Sequence, residues 1–179
     1  MSEHQTVIIT GPSGSGKTTL VDHVCRLYPQ YYHVPIGMSS RAMRPGETQG
    51  NPYIFTDEAT CLTTPAFNRV RYLDNEYCLP LTHFVEDKIN LVVLEVDGAR
   101  RLRDEHPTIY IKRDENQLIR AIRDRNQPLS VEIARLAQLD HEICMADEFV
   151  HKLSNNNCPQ LSVHVLDRLV RNLFGLGFF

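Results

Sequence analysis

No apolar run in the 179-residue chain approaches the roughly 20 residues a membrane helix requires, and Met1 to Thr6 is too polar and too short for a secretion signal. Charge of one sign is not in excess: 19 Lys+Arg face 22 Asp+Glu, a formal charge of −3. Nothing global therefore recommends a nucleic-acid or anionic-membrane partner, and any anion site must be local. Cysteine is sparse and unpatterned. Cys25, Cys61, Cys78, Cys144 and Cys158 are odd in number, far apart and free of any C-x-x-C pair, so neither a disulfide framework nor a zinc knuckle is supported. They read as free thiols in a reducing cytoplasm. The chain holds no internal repeat and no low-complexity tract, and its length suits one compact domain with an inserted flap. Its apolar end, Phe174 to Phe179, reads as a tail packed on the body or on a partner subunit.

What is present is an alternation of buried strands and amphipathic helices. Val7 to Thr10 is a short β-branched run, and Thr18 to Leu27 carries Leu20, Val21, Val24 and Leu27 at helical spacing. From Gly37 to Pro80 the texture changes to Gly, Pro, Asn and Thr with short extended pieces, as in a small insertion. Leu81 to Lys88 reads as a helix, and Asn90 to Val96 as a strand buried on both faces of a parallel sheet. Thr108 to Lys112 is a further strand, Asp114 caps the helix that carries Leu118, Ile119 and Ile122, and helices follow over Val131 to Ile143 and Gln160 to Phe174. This order predicts a three-layer α/β fold with a parallel sheet, whose ligands bind at the carboxyl ends of the strands.

Gly11, Pro12, Ser13, Gly14, Ser15, Gly16, Lys17 and Thr18 fit G-x-x-x-x-G-K-[ST] in full, between a buried strand and a helix. The glycines let consecutive backbone N–H groups surround a phosphate, the helix N-terminus adds its dipole, Lys17 supplies a point charge, and the Thr18 hydroxyl can ligate Mg²⁺. Thr19 continues the cradle.

A second motif, Ser39 to Tyr53 with Arg41, Arg44, Gly46, Glu47 and Gly50, resembles the acceptor segment of the guanylate kinase family of P-loop nucleoside monophosphate kinases. Two guanidinium forks and the phenol of Tyr53 can saturate the oxygens of a phosphate. The resemblance runs from about Val7 to Asn155. It implies a P-loop NTPase fold with a core over about 1–36, 89–122 and 144–179, an acceptor-binding insertion over about 37–88 and a lid over about 123–143. It also implies ATP and a small phosphorylated acceptor as substrates, Mg²⁺ as cofactor, and a cytoplasmic monomer or homodimer.

Among individual residues the resemblance implies that Lys17, Arg41, Arg125 and Arg135 are catalytic, with Arg123 a further candidate. Asn155 falls at the adenine of ATP, Tyr77 at the acceptor phosphate, and Asp97 beside both the metal and the acceptor. Basic residues on a solvated helix face remain the other reading for the arginines, above all for Arg100, Arg101 and Arg103; an ordinary helix cap remains the other reading for Asp97.

The pattern departs from the family on the base side. Counting back from Tyr77, the family's guanine-reading Glu falls on Asn68, and a serine of the family falls on Gly37. After Tyr77, glycine and a hydroxyl residue have become Cys78 and Leu79. An amide offers one acceptor where a carboxylate offers two, so guanine's two donors can no longer both be met by that side chain. GMP or dGMP is the default acceptor, with guanine either weakened by about 5- to 150-fold in selectivity, the cost of one unpaired buried group, or replaced by a base that pairs one donor and one acceptor with an amide, such as adenine or a pyrimidine. Two other readings stay open: a kinase similar to the ribose 1,5-bisphosphate phosphokinases, which the compressed Val96 to Arg100 resembles, or one acting on a modified nucleotide, and a non-catalytic guanylate-kinase-like protein-binding module. Against the first stand Arg41, Arg44, Gly50 and Tyr53; against the second stand Lys17 and Thr18.

Overall fold

The structure, a computed structural model, describes residues 4–43, 46–72, 74–125, 127–156 and 159–176. Its centre is a five-stranded, all-parallel sheet in the order β2-β7-β1-β8-β9, formed by β1 (Thr6–Thr10), β2 (Tyr32–His33), β7 (Ile89–Val93), β8 (Thr108–Lys112) and β9 (His151–Ser154). Side chains alternate across a strand, and in the middle of this sheet both faces are covered. Val7 and Ile9 of β1, with Ile109 and Ile111 of β8, meet Leu20, Val21 and Val24 of α1 (Lys17–Leu27) and Val163, Leu166 and Val170 of α6 (Pro159–Leu173). Ile8, Val92 and Tyr110 point the other way, onto Val96 and Ala99 of α3 (Val96–Leu102) and onto Ala146 and Phe149. The result is the three-layer α/β architecture expected from the alternation of elements.

A second, four-stranded sheet lies wholly between residues 38 and 80. It comprises β3 (Met38–Ser39), β4 (Ile54–Phe55), β5 (Ala66–Tyr72) and β6 (Asn75–Pro80) in the order β4-β3-β6-β5, with α2 (Glu58–Thr63) packed on β6. Alternation within β6 decides which residues face that helix. Glu76, Cys78 and Pro80 are buried, and the Cys61 thiol of α2 reaches the Glu76 carbonyl, so Tyr77 and Leu79 lie on the opposite face.

The helix expected over Leu81 to Lys88 is a single 3-10 turn, Leu81–His83. The cause is Asn90, fully buried on β7. Its side-chain oxygen accepts from the Val85 N–H, and its amide donates to the carbonyls of Val85 and Lys88. Those backbone groups are thereby taken out of any helical ladder, and Phe84 is turned into the core instead. Farther on, Asp114 does cap its helix, accepting from the N–H groups of Asn116 and Gln117 at the start of α4 (Glu115–Arg123). α5 (Leu129–Cys144) then packs on α4 through Leu118, Ile122 and Leu139. No helix among the described residues is long and apolar enough to cross a membrane.

The turn that leaves β1 has no room for a side chain. Gly11 has φ +138°, and a Cβ there would stand 2.4 Å from the Ile111 carbonyl oxygen of the neighbouring strand. Gly11→Ala is therefore expected to cost more than about 2 kcal/mol, combining an unfavourable backbone region with a backbone clash. Urea unfolding checks this, and an unchanged midpoint would show that the turn can relax.

Candidate active site

The carboxyl ends of β1, β7, β8 and β9 open into one cleft, and the residues that follow each strand build it. After β1 the glycine loop turns through positive φ at Gly11, Gly14 and Gly16. Each position is crowded: a Cβ on Gly14 would meet the Leu118 carbonyl at 3.0 Å, and one on Gly16 would meet the Asn155 amide at 2.6 Å. The loop is thus pressed between α4 and the segment after β9, and its side-chain-free residues are a packing requirement as well as a conformational one. Two neighbours hold its carbonyls. Arg113, the first residue after β8, donates to Gly14 O at 2.9 Å, and Asn155 Nδ2 donates to Ser15 O at 2.8 Å.

Inside the loop, Lys17 Nζ donates to Gly11 O at 2.6 Å and Pro12 O at 2.9 Å. Burial holds this ammonium below the ordinary lysine range, while the carboxylates of Glu95 and Glu142 oppose that effect and Arg125 and Arg135 reinforce it. Three cations and two carboxylates therefore share one partly dry volume. Arg125 is pushed down by burial first and by Arg135 second. Ser15 Oγ and Arg135 Nε are buried with no hydrogen-bond partner. Buried polar atoms without a protein partner cost free energy, and at the glycine loop both can donate to an anion.

Ser13 is gripped twice by α5. Its backbone N–H donates to Glu142 Oε2 at 2.9 Å, and its hydroxyl accepts from Arg135 Nη1 at 2.9 Å. The second-layer helix is thereby clasped to the glycine loop. Glu142 is nearly buried, and desolvation raises its carboxyl above the usual glutamate range despite the bond from Ser13. Beyond Gly16, Thr19, His23, Gln117 and Asn155 line a cavity of about 240 Å³. Thr18 and Thr19 are exposed on the first turn of α1.

The other half of the cleft belongs to the second sheet. Arg41, 9% exposed, forms a bidentate pair with Glu47, both contacts at 2.7 Å, and its guanidinium stands 5.5 Å from the Tyr53 ring centre and 5.0 Å from that of Phe55. Tyr53 packs edge-on against Tyr77 at 5.6 Å, and burial raises its phenol above the ordinary range. A carboxylate in a guanidinium fork has the geometry of a phosphate in the same fork. Gly37 supports this group: a Cβ there would lie 3.3 Å from the Tyr53 ring. Arg44 lies outside the described residues.

Asn68 and Leu79 are direct partners across β5 and β6, beside a bulge at Ala66/Asn68, so they form one wall. That wall abuts α3, where Asn68 Nδ2 comes within 3.6 Å of the Cβ position of Gly98. Cys78 faces away, toward α2. Asp97 is exposed on the first turn of α3 and meets His141 Nε2 at 3.3 Å; it is not among the charges that act on Lys17. Glu95 is. It caps α3 by backbone alone, on a corner fixed by Thr10 Oγ1 donating to Leu94 O at 3.0 Å. Arg123 pairs with Glu132 at 3.7 Å.

Sequence reasoning passed over four of these residues. Glu95 was hidden at the end of an apolar strand, where a lone charge facing the cleft is itself the signal. Glu142 sits three residues after Leu139, an acid on an apolar helical stripe. Arg113 had no local signal, and Glu47 was read as part of a motif without a partner.

The guanylate kinase family model matches residues 3–172. Guanylate kinase from Gloeobacter violaceus is 29% identical over 178 residues, covering 92% of this chain and 85% of that one. Guanylate kinase from Synechococcus sp. (strain JA-3-3Ab) is 32% identical over 169 residues, covering 86% and 76%. Among solved structures, guanylate kinase from Anaplasma phagocytophilum shares the fold with a TM-score of 0.70 at 18% identity, over 97% of this chain and 87% of that one.

The raised carboxyl of Glu142 gives a signed pH prediction. Its ionised form is disfavoured by folding, so stability is lost as pH rises through its raised value and is retained below the ordinary glutamate range. Glu142→Gln keeps an acceptor for Ser13 N–H and removes the charge. It is expected to raise the melting temperature of the unliganded protein near pH 7, with the gain vanishing near pH 4. Glu142→Ala, which leaves Ser13 N–H unpaired, is expected to lose about 1–3 kcal/mol. A Gln variant that melts lower at pH 7 than the native protein contradicts the assignment.

Proposed function

The chain belongs to the guanylate kinase family of phosphotransferases, and on that premise we propose that it transfers the γ-phosphoryl group of ATP to the 5′-phosphate of a nucleoside monophosphate, with GMP or dGMP as the default acceptor. The observation that carries this reading is the pair of anion sites in one cleft: a glycine loop with an enclosed ammonium, and a buried arginine fork paired with Glu47 against the rings of Tyr53 and Phe55. An NTPase without an acceptor has no use for the second. A protein-binding module has no use for the first.

The acceptor oxygen needs no protein base, because a phosphate monoester has a second pKa near about 6 and is already anionic at neutral pH. The task left to the protein is to align two polyanions and neutralise the charge between them. In this reading Lys17 exchanges its two loop carbonyls for phosphate oxygens, and Arg125 and Arg135 close from the α4–α5 side. Arg41 exchanges Glu47 for the acceptor phosphate, and Tyr53 and Tyr77 complete that grip. Asn155 and the cavity beyond Gly16 receive the adenine. The donor set suits Mg²⁺ held mainly by phosphate oxygens: Thr18 and Glu95, or Asp97 after leaving His141, are the protein oxygens at hand, and among the described residues no three metal-binding side chains cluster. When bound, the ion neutralises charge on the transferred group.

The test is ADP release with GMP, dGMP, AMP, UMP, dTMP and CMP. Lys17→Ala should lower kcat by about 10²–10³-fold in a protein that stays folded, as read by its circular dichroism. Arg41→Ala should raise the acceptor KM at least about tenfold and leave the ATP KM unchanged, because it loses a charge-assisted bond to one substrate only. Near-normal turnover without Lys17, or equal losses for both substrates without Arg41, contradicts the assignment.

A further inference from the structure

The family likeness leaves open how a wall made of Asn68 and Leu79 reads a base. Three arginines, Arg100 and Arg101 of α3 and Arg103 at its C-terminal cap, follow the Gly98 that meets this wall. Arg100 and Arg103 both pair with Glu148. Arg101, among the described residues, has no ion-pair or hydrogen-bond partner. Its position is specific. A methyl on Gly98 would stand 3.6 Å from Asn68 Nδ2, 3.8 Å from Arg101 Nη2 and 3.8 Å from Leu94 Cβ. Gly98 and Arg101, three apart on α3, share the stripe that meets Asn68, Leu94 borders it from just before the helix, and the glycine puts no side chain between fork and amide.

Resting on the nucleotide-kinase reading above, we propose that Arg101 is a specificity-determining residue that reads the O6 and N7 acceptor edge of a 6-oxopurine, so that the 2-amino group goes unread. A guanidinium fork matches O6 and N7 with two parallel donors. Asn68 Oδ1 supplies the single acceptor that the N1–H of such a base requires. Nothing in that pairing engages N2. The acceptor class is then 6-oxopurine nucleoside monophosphates, guanine and hypoxanthine alike. Adenine fails because it presents a donor at C6, and pyrimidines fail because they have no N7.

The experiment measures kcat/KM for GMP, IMP, AMP, UMP and 7-deaza-GMP with the native protein, Arg101→Ala and Asn68→Glu. Native protein is expected to use GMP and IMP within roughly threefold of each other, and both at least about tenfold better than AMP, UMP or 7-deaza-GMP, the worth of about one buried hydrogen bond. Arg101→Ala should raise KM for GMP and IMP about tenfold with kcat and the AMP values little changed, and Asn68→Glu should lift GMP over IMP by about tenfold. A native preference for GMP over IMP of about a hundredfold, a preference for AMP or UMP, or an equal loss for every acceptor in Arg101→Ala overturns the assignment while leaving the kinase intact. No turnover with any monophosphate overturns the kinase reading itself, and this one with it.

Discussion

The constraint on which the structure depends is an ammonium enclosed in a loop too tight for side chains. Lys17 hydrogen-bonds two carbonyls of a turn whose glycines press on the backbone of β8, the backbone of α4 and the amide of Asn155. A charge in such a place is tolerable only if others balance it. The fold provides that balance from separate elements: Glu95 from the β7–α3 corner and Glu142 from α5 lower the cost of Lys17, and Arg125 and Arg135 raise it again. Around Lys17 the cations outnumber the carboxylates, and two buried donors, Ser15 Oγ and Arg135 Nε, have no protein partner.

The second sheet solves the same problem differently. Arg41 is buried under two aromatic rings, and its charge is met by Glu47 in a geometry that a phosphate can take over. One place therefore keeps unpaired donors, and the other pairs its guanidinium with a carboxylate. The two are carried by different sheets, so closing them on a pair of substrates would expel water from between the reacting groups, a necessity where hydrolysis competes with transfer.

The sequence disclosed what is contiguous. The glycine loop is eight adjacent residues between a strand and a helix, and Arg41, Tyr53 and Tyr77 sit in short motifs, so that they would lie together could be read from the chain. What it concealed depends on contacts between distant segments. Glu142 acts 129 residues from Ser13, and Arg113 acts 99 residues from Gly14. The failure at Leu81 to Lys88 has the same origin, since apolar spacing suggested a helix whose backbone groups Asn90 claims from the next strand. Alternation along β6 also separates two substitutions that look alike in sequence: Leu79 lines the wall with Asn68, whereas Cys78 faces α2.

The central claim is that both anion sites act in one transfer, and the fate of the γ-phosphorus tests it most directly. Protein incubated with Mg²⁺, ATP labelled in the γ-phosphate and a purine 5′-monophosphate should place the label in the β-phosphate of the nucleoside diphosphate, with little released as inorganic phosphate. Label appearing only as inorganic phosphate, at a rate indifferent to the monophosphate, would contradict the account.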